Sequence, residues 1–188
     1  MSARDLMAEL FEAAGRVQQR HLEHLRALGV APATIARLGS DRWPAFGVVN
    51  AEIDRGGCYQ PCDGPAHIVM PVTEDGALVD LVAWRTTRPD KWALRHGIGW
   101  AIGADDLGET DRWGGAAPMV FASPLDWLRA DCRGTVILDW SPDVMSALKG
   151  HAAIDCATPA LAATLRDAIS QTVHLPKIAA MREARHAA

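Results

Sequence analysis

The 188-residue chain reads as an α+β protein: N-terminal helices, then an antiparallel β-rich subdomain, then a small α/β subdomain with a short parallel sheet. Three observations predict this order. Apolar residues recur at helical spacing up to about Ser40, two strand-like runs then flank an Asp-Gly turn, and beyond Pro118 strand-like and helix-like runs alternate. The boundaries fall at residues 1–40, 41–115 and 116–188.

In the first segment Leu6, Leu10, Ala14, Val17, His21, Leu25 and Leu28 repeat every three or four residues, which places them on one stripe of a helix that ends at Gly29. A second short helix follows in "APATIARLG", with Pro32 in its first turn, Ile35 and Leu38 on one face and Gly39 as its stop. Two helices joined by a tight turn also describe a DNA-reading motif. The second helix offers only Arg37 for base contacts, so a helix hairpin packed against the rest is the expected reading.

In the second segment "AHIVMPV" and "ALVDLVAW" are rich in apolar and β-branched residues, and "TEDG" between them supplies the turn of a hairpin. Downstream, "RTTRPDKWALRHG" sets Arg85, Arg88, Lys91 and Arg95 against one acid, Asp90. That local reversal of sign stands out in a chain of net charge −4 and pI near 5.9. Glycines at 97, 99 and 103 and the acidic "GADDLGETD" are expected to form a link between subdomains.

The third segment alternates: "MVFA" strand, "PLDWLRADCR" helix, "TVILDW" strand, "SPDVMSALK" helix, "HAAIDC" strand, "TPALAATLRDAIS" helix, and a terminal helix in "LPKIAAMREARHAA". Strands separated by helices predict parallel pairing.

Composition narrows the functional class. With 49% apolar residues the chain can bury a sizeable core, and it holds no apolar run long enough to cross a bilayer and no signal-like start, so a cytoplasmic place is expected. Four irregularly spaced cysteines fit reduced thiols. The acidic balance argues against a protein that coats nucleic acid through overall charge, so any such surface must be a local patch.

In order, these pieces resemble the catalytic core of bacterial-type DNA primases and of related phage and plasmid primase-like proteins, over roughly residues 22–170. The resemblance runs through "LRALGVAPATIARLG", "IVMPVTEDGALVDLVAWR" and "RPDKWALRHG", and places the α/β segment where that family carries its Toprim domain. It implies that Arg85 and Lys91 belong to a basic surface for template strand and nucleotide, with Arg88, Trp92 and Arg95 beside them. Cations next to an aromatic ring also suit single-stranded nucleic acid physically, because phosphates need charge and unstacked bases need a π-face. The competing reading is a solvated charged loop whose tryptophans plug the core.

The resemblance also implies where catalysis should lie. Toprim strands end in Glu-Gly with an Asp three residues after the Glu, and a later strand ends in Asp-x-Asp; these carboxylates hold Mg²⁺. Here the first strand reaches Ser123-Pro124, Asp126 keeps the third position, and Asp155-Cys156-Ala157 keeps one acid of the pair. A neutral hydroxyl cannot replace a carboxylate there. The expectation is a degenerate Toprim-like scaffold without catalysis and without a cofactor, in which Ser123 caps a helix opened by Pro124. The alternative is a Mg²⁺-dependent nucleotidyl or phosphoryl transferase with an atypical site of Asp126, Asp139 and Asp155.

"CYQPCDGPAH" contributes Cys58, Cys62 and His67, with Asp63 as a further oxygen ligand, but lacks the second ligand pair of a structural zinc site. No metal is expected there; two reduced cysteines flanking a turn is the plainer reading. Trp84, Trp127 and Trp140 are expected in the core, while Trp92, Trp100 and Trp113 fall in predicted loops as candidates for stacking. The sequence thus predicts a primase-like nucleic-acid-binding or replication-accessory protein of a phage or mobile element. Single-stranded nucleic acid is the expected partner, with a replication helicase or polymerase as another and no membrane, and a pure interaction scaffold is a further reading.

Overall fold

A computed structural model describes residues 3–37, 43–107 and 117–172. The chain is α+β, with a four-stranded antiparallel sheet and a second, mixed four-stranded sheet. The N-terminal stripe forms two helices rather than one, α1 (Ala3–Gly15) and α2 (Gln19–Ala27). The break is held by Gln18, whose backbone N–H donates to His21 Nδ1 (3.0 Å) in a reciprocal cap. The apolar period stays in phase across these few residues, so the sequence alone reads straight through. Gly29 adopts φ +90° and ends α2, and α3 (Pro32–Arg37) follows; Gly39 and Leu38 lie outside the described residues.

The first sheet runs β1 (Gly47–Ile53), β2 (Tyr59–Glu74), β3 (Ala77–Arg85), β4 (Arg88–Leu94), all antiparallel and in that spatial order. Asp75 and Gly76 turn the β2–β3 hairpin with φ +48° and +68°, the two left-handed residues that a tight right-twisted hairpin requires. The basic run expected as a loop is instead largely strand β4, and Trp92 lies within it.

Both faces of this sheet are covered. On one, Leu6, Leu10 and Ala13 of α1 pack on Val49, Tyr59, Val69, Leu81, Ala83 and Ala93. Gly47 lets α1 approach closely: a Cβ there would sit 2.5 Å from Ala13. On the other face Val48, Ile68, Met70, Val82 and the fully buried Trp84 share a core with Leu25 of α2 and with Ile102, Leu125, Leu128 and Val136 of the second sheet and its helix. The two sheets are therefore joined by one continuous apolar core, the main source of their mutual stability.

The second sheet has the order β5 (Ala101–Ile102), β7 (Thr135–Ile137), β6 (Met119–Phe121), β8 (Asp155–Cys156). The last three are parallel, linked through α4 (Pro124–Arg129) and α5 (Pro142–Leu148), and α6 (Pro159–Gln171) follows β8. β5 adds an antiparallel edge that sequence reading did not find, so residues assigned to the β-rich segment already belong to the second sheet. The helical hairpin docks on α4: Arg129 Nε donates to Leu28 O (2.8 Å) and Thr34 Oγ1 to Asp131 Oδ1 (2.6 Å). Thr34 is buried, so α3 is committed to packing. The terminal helix expected over 175–188 and the acidic link at 108–111 lie outside the described residues, among which no helix is long and apolar enough to cross a membrane.

One polar group holds the joint between the sheets. Asp80 is fully buried in β3 and its carboxylate accepts five backbone N–H bonds. Oδ1 takes those of Leu81 (2.8 Å), Arg95 (3.1 Å) and His96 (3.1 Å), and Oδ2 those of Ile98 (2.8 Å) and Gly99 (3.2 Å). A buried carboxylate is costly unless fully hydrogen-bonded, and here the loop from β4 to β5 supplies the donors. Asp80→Asn, which keeps the shape but presents an NH₂ to N–H donors, is expected to lower stability by about 2–4 kcal/mol, read as a lower urea midpoint. An unchanged midpoint would show that the carboxylate is dispensable.

Candidate functional site

Strand pairing collects three of the predicted cations into one place. Ala83 and Arg85 of β3, Arg88 and Lys91 of β4, Pro65 and His67 of β2, and Ala51, Glu52 and Ile53 of β1 line a cleft of about 440 Å³. All four strands contribute. Arg85 pairs with Arg88 across the tight β3–β4 connection, and Lys91 lies two residues before Ala93, the partner of Ala83, so alternation brings Lys91 to the face of Arg85. Arg85, Arg88 and Lys91 are exposed, and none of their side chains makes a hydrogen bond or ion pair within the described residues. Three unneutralised cations beside a single acid, Glu52, give the cleft a positive field.

His67 closes the floor of the cleft at 6% exposure. Its Nδ1 lies 2.7 Å from Pro65 O, a pure acceptor, so Nδ1 carries the proton and Nε2 is an acceptor in the neutral ring. Burial holds its pKa below the ordinary 6.5 despite the Pro65 carbonyl, and the Arg85 charge lowers it further. His67 is therefore neutral at pH 7.

The other two predicted members of this group lie elsewhere. Arg95 is a structural tie: its Nε donates to Glu9 Oε2 (3.0 Å) and its Nη1 to Gln60 Oε1 (2.8 Å), and its guanidinium lies 5.7 Å from the Tyr59 ring centre. Tyr59 OH donates to Glu9 Oε1 (2.8 Å), and burial together with the Glu9 charge pushes its pKa far up. These contacts fasten α1 to the sheet. Trp92 pairs with Trp84 and so faces the opposite side of the sheet from Lys91, packed against the shared core with its Nε1 toward Leu138 O (3.4 Å). Trp100 is half-buried against the second sheet, and Trp113 lies outside the described residues. The cleft thus has charge without a tryptophan platform, and His67 is the one aromatic ring that the described residues give it.

The acids of the alternative catalytic site are not brought together. In the parallel register Asp155 lies level with Met119, where β6 begins, whereas Asp126 and Asp139 follow the ends of β6 and β7. Asp126 is already engaged: Oδ2 accepts from Ser123 Oγ (2.7 Å) and Oδ1 from Arg129 Nη1 (3.1 Å). Asp139 accepts from both N (2.9 Å) and Oγ (2.8 Å) of Ser141. The crevice at which an α/β sheet of this winding takes ligands, between the carboxyl ends of β6 and β8, carries Ser123 and Thr158. Both hydroxyls cap helices, accepting from Asp126 N (3.2 Å) and Leu161 N (3.2 Å). Serine at the predicted carboxylate position is thus a helix cap, with Pro124 at the first helical position.

Cys58, Cys62 and His67 also stay apart in function. The Cys58 thiol is pushed up by burial and by Asp54 and Asp80, while Cys62 is exposed and its Sγ accepts from Gly64 N (3.3 Å). Among the described residues no group of three or more His, Cys, Asp or Glu side chains is placed to hold a metal ion. The signal that sequence reading missed is the pairing state of the cations, which depends on contacts far apart in the chain.

Because the folded pKa of His67 is depressed, the unfolded chain takes up its proton first as pH falls through 6.5, and stability drops until the folded ring also protonates. His67→Gln is expected to flatten the loss of stability on acidification below pH 6.5, measured by urea unfolding at a series of pH values; a profile as steep as the parent's would remove His67 from that role. Ser123→Ala is expected to cost about 1 kcal/mol.

No family model, no curated protein and no solved structure matches this chain.

Proposed function

We propose that the chain is a non-catalytic, primase-core-like protein that binds single-stranded nucleic acid through the cleft on its first sheet. The observation that carries this reading is the convergence of Arg85, Arg88 and Lys91, unpaired and exposed, on one four-stranded face. Among the described residues the arginines that do form ion pairs hold a neighbour along the same helix or tie elements together, as with Arg16–Glu12, Arg129–Asp126 and Arg95–Glu9. Free cations crossing a sheet match the repeated charge of a phosphodiester backbone, and the shortage of aromatic rings in the cleft favours backbone contact over base readout. The dispersed acids and the use of Ser123 as a helix cap support a reading without phosphoryl transfer. A role as a replication-accessory factor of a phage or mobile element follows from the order of primase-like motifs, with a helicase or polymerase as the protein that such a factor would serve.

The test is fluorescence anisotropy of a labelled single-stranded oligonucleotide. Three phosphate contacts give a log–log salt slope of about −2, hence about a 20-fold loss of affinity between about 50 and 200 mM salt. Arg85→Ala/Lys91→Ala is expected to reduce the slope to about −0.7 and the loss to about threefold. Absence of binding at low salt, or binding indifferent to the double substitution, would overturn the proposal.

A further inference from the structure

A second cleft, of about 560 Å³, lies at the same end of the first sheet on its other face. Arg16, Gln18, Arg20 and His21 line it from the α1–α2 junction, with Asn50 of β1 and Cys62 and Asp63 of β2 opposite. Sequence reading singled out Cys62 and Asp63 of this lining as metal-ligand candidates and gave Arg16, Gln18 and Arg20 no role. Arg16 is neutralised by Glu12, but Arg20 is exposed. Its Nε lies 3.4 Å from His21 Nε2, and its remaining guanidinium nitrogens make no hydrogen bond within the described residues. Burial and the neighbouring Arg20 and His24 hold His21 below its ordinary pKa, consistent with a neutral ring whose Nδ1 accepts from Gln18 N.

Two features join this cleft to the basic one. One helical turn beyond Arg20, about 6 Å along α2, His24 Nε2 lies 2.9 Å from Thr86 Oγ1, and Thr86 follows Arg85 in the chain. On the other side, Asn50 faces Ala66 while the next residue, Ala51, faces Pro61, so residues 62–65 are looped out of β2. That loop stands on the rim between the clefts: Cys62 and Asp63 line one and Pro65 the other. Gly64 seats it, since a Cβ there would lie 2.6 Å from Ala51 O.

Resting on the reading of the basic cleft, we infer that the two clefts form one track: a single strand lies along Lys91, Arg88 and Arg85, bends over the end of the sheet beside the 62–65 loop, and is anchored again by Arg20. Glu52 lines the first cleft and Asp63 the second, and each limits where the phosphate backbone can sit. The track takes a longer strand than the sheet cleft alone, and Cys62, the most open of the four cysteines, marks its bend.

The experiment compares oligothymidylates of about 12 and about 4 nucleotides, lengths within the range of single-domain sites. Arg20→Ala is expected to reduce the salt slope for the longer strand by about 0.7 and leave the shorter strand unaffected, whereas Arg85→Ala/Lys91→Ala weakens both. The longer strand, and not the shorter, should slow maleimide alkylation of Cys62, with Cys62→Ser identifying the modified site; thermal unfolding of each variant confirms that it is folded. If Arg20→Ala and Arg20→Glu leave the longer strand's binding at the parent level while Arg85→Ala/Lys91→Ala weakens it, the track is wrong and the sheet cleft stands. If the longer strand does not bind at low salt, both readings fall.

Discussion

The buried carboxylate of Asp80 is the constraint on which the two halves of the molecule depend. Five backbone N–H groups converge on it, and four come from the segment that leaves β4 and enters β5. That segment cannot swing without exposing or orphaning the charge, which costs several kcal/mol in a low-dielectric interior. Gly99 fits because a Cβ would meet Val72 Cγ1 at 2.6 Å. Immediately beyond, Trp100 O accepts from the N–H groups of Leu138 (2.7 Å) and Asp139 (3.1 Å), which sets the second sheet against the first. The direction of β4, and with it the place of Lys91 and Arg88 on the sheet face, follows from this joint.

With that frame fixed, charge is distributed in two ways. Arginines whose partners are carboxylates or carbonyls hold elements together: Arg95 fastens α1 and Arg129 fastens α2. Arg85, Arg88 and Lys91, which have no such partners, stand together at one end of the first sheet, where a polyanion can neutralise them. The second sheet keeps the winding of a ligand-binding α/β fold, yet its crevice holds hydroxyls that cap α4 and α6. Caps of this kind contribute about 1 kcal/mol each to helix stability. Ser123 and Thr158 in this crevice are thus committed to the helices they open.

Much of the fold was legible in the sequence, because its signals are local. The Asp75-Gly76 hairpin, the cap and proline that open α4, the Gly29 stop and the strand–helix alternation after Pro118 each depend on a few neighbouring residues. What was not legible depends on distant partners. Asp80 looks like any polar residue alternating in a half-exposed strand, and only the returning loop buries it. Arg95 sits in a basic run and is withdrawn by Glu9, 86 residues away. Trp92 follows Lys91 directly, and the two-residue period of β4 alone puts them on opposite faces. Within the candidate site, residue identity at Arg85, Arg88 and Lys91 was readable; the cleft, its floor at His67 and the continuation to Arg20 required the pairing of β1 with β2 and the docking of α2.

The most direct measurement is amide hydrogen exchange of the protein with and without a single-stranded oligonucleotide at low salt. Protection confined to the β3–β4 hairpin around Arg85–Lys91, with the 62–65 loop and the start of α2, is the expected result. Protection centred instead on the Ser123 and Thr158 crevice of the second sheet would contradict the account.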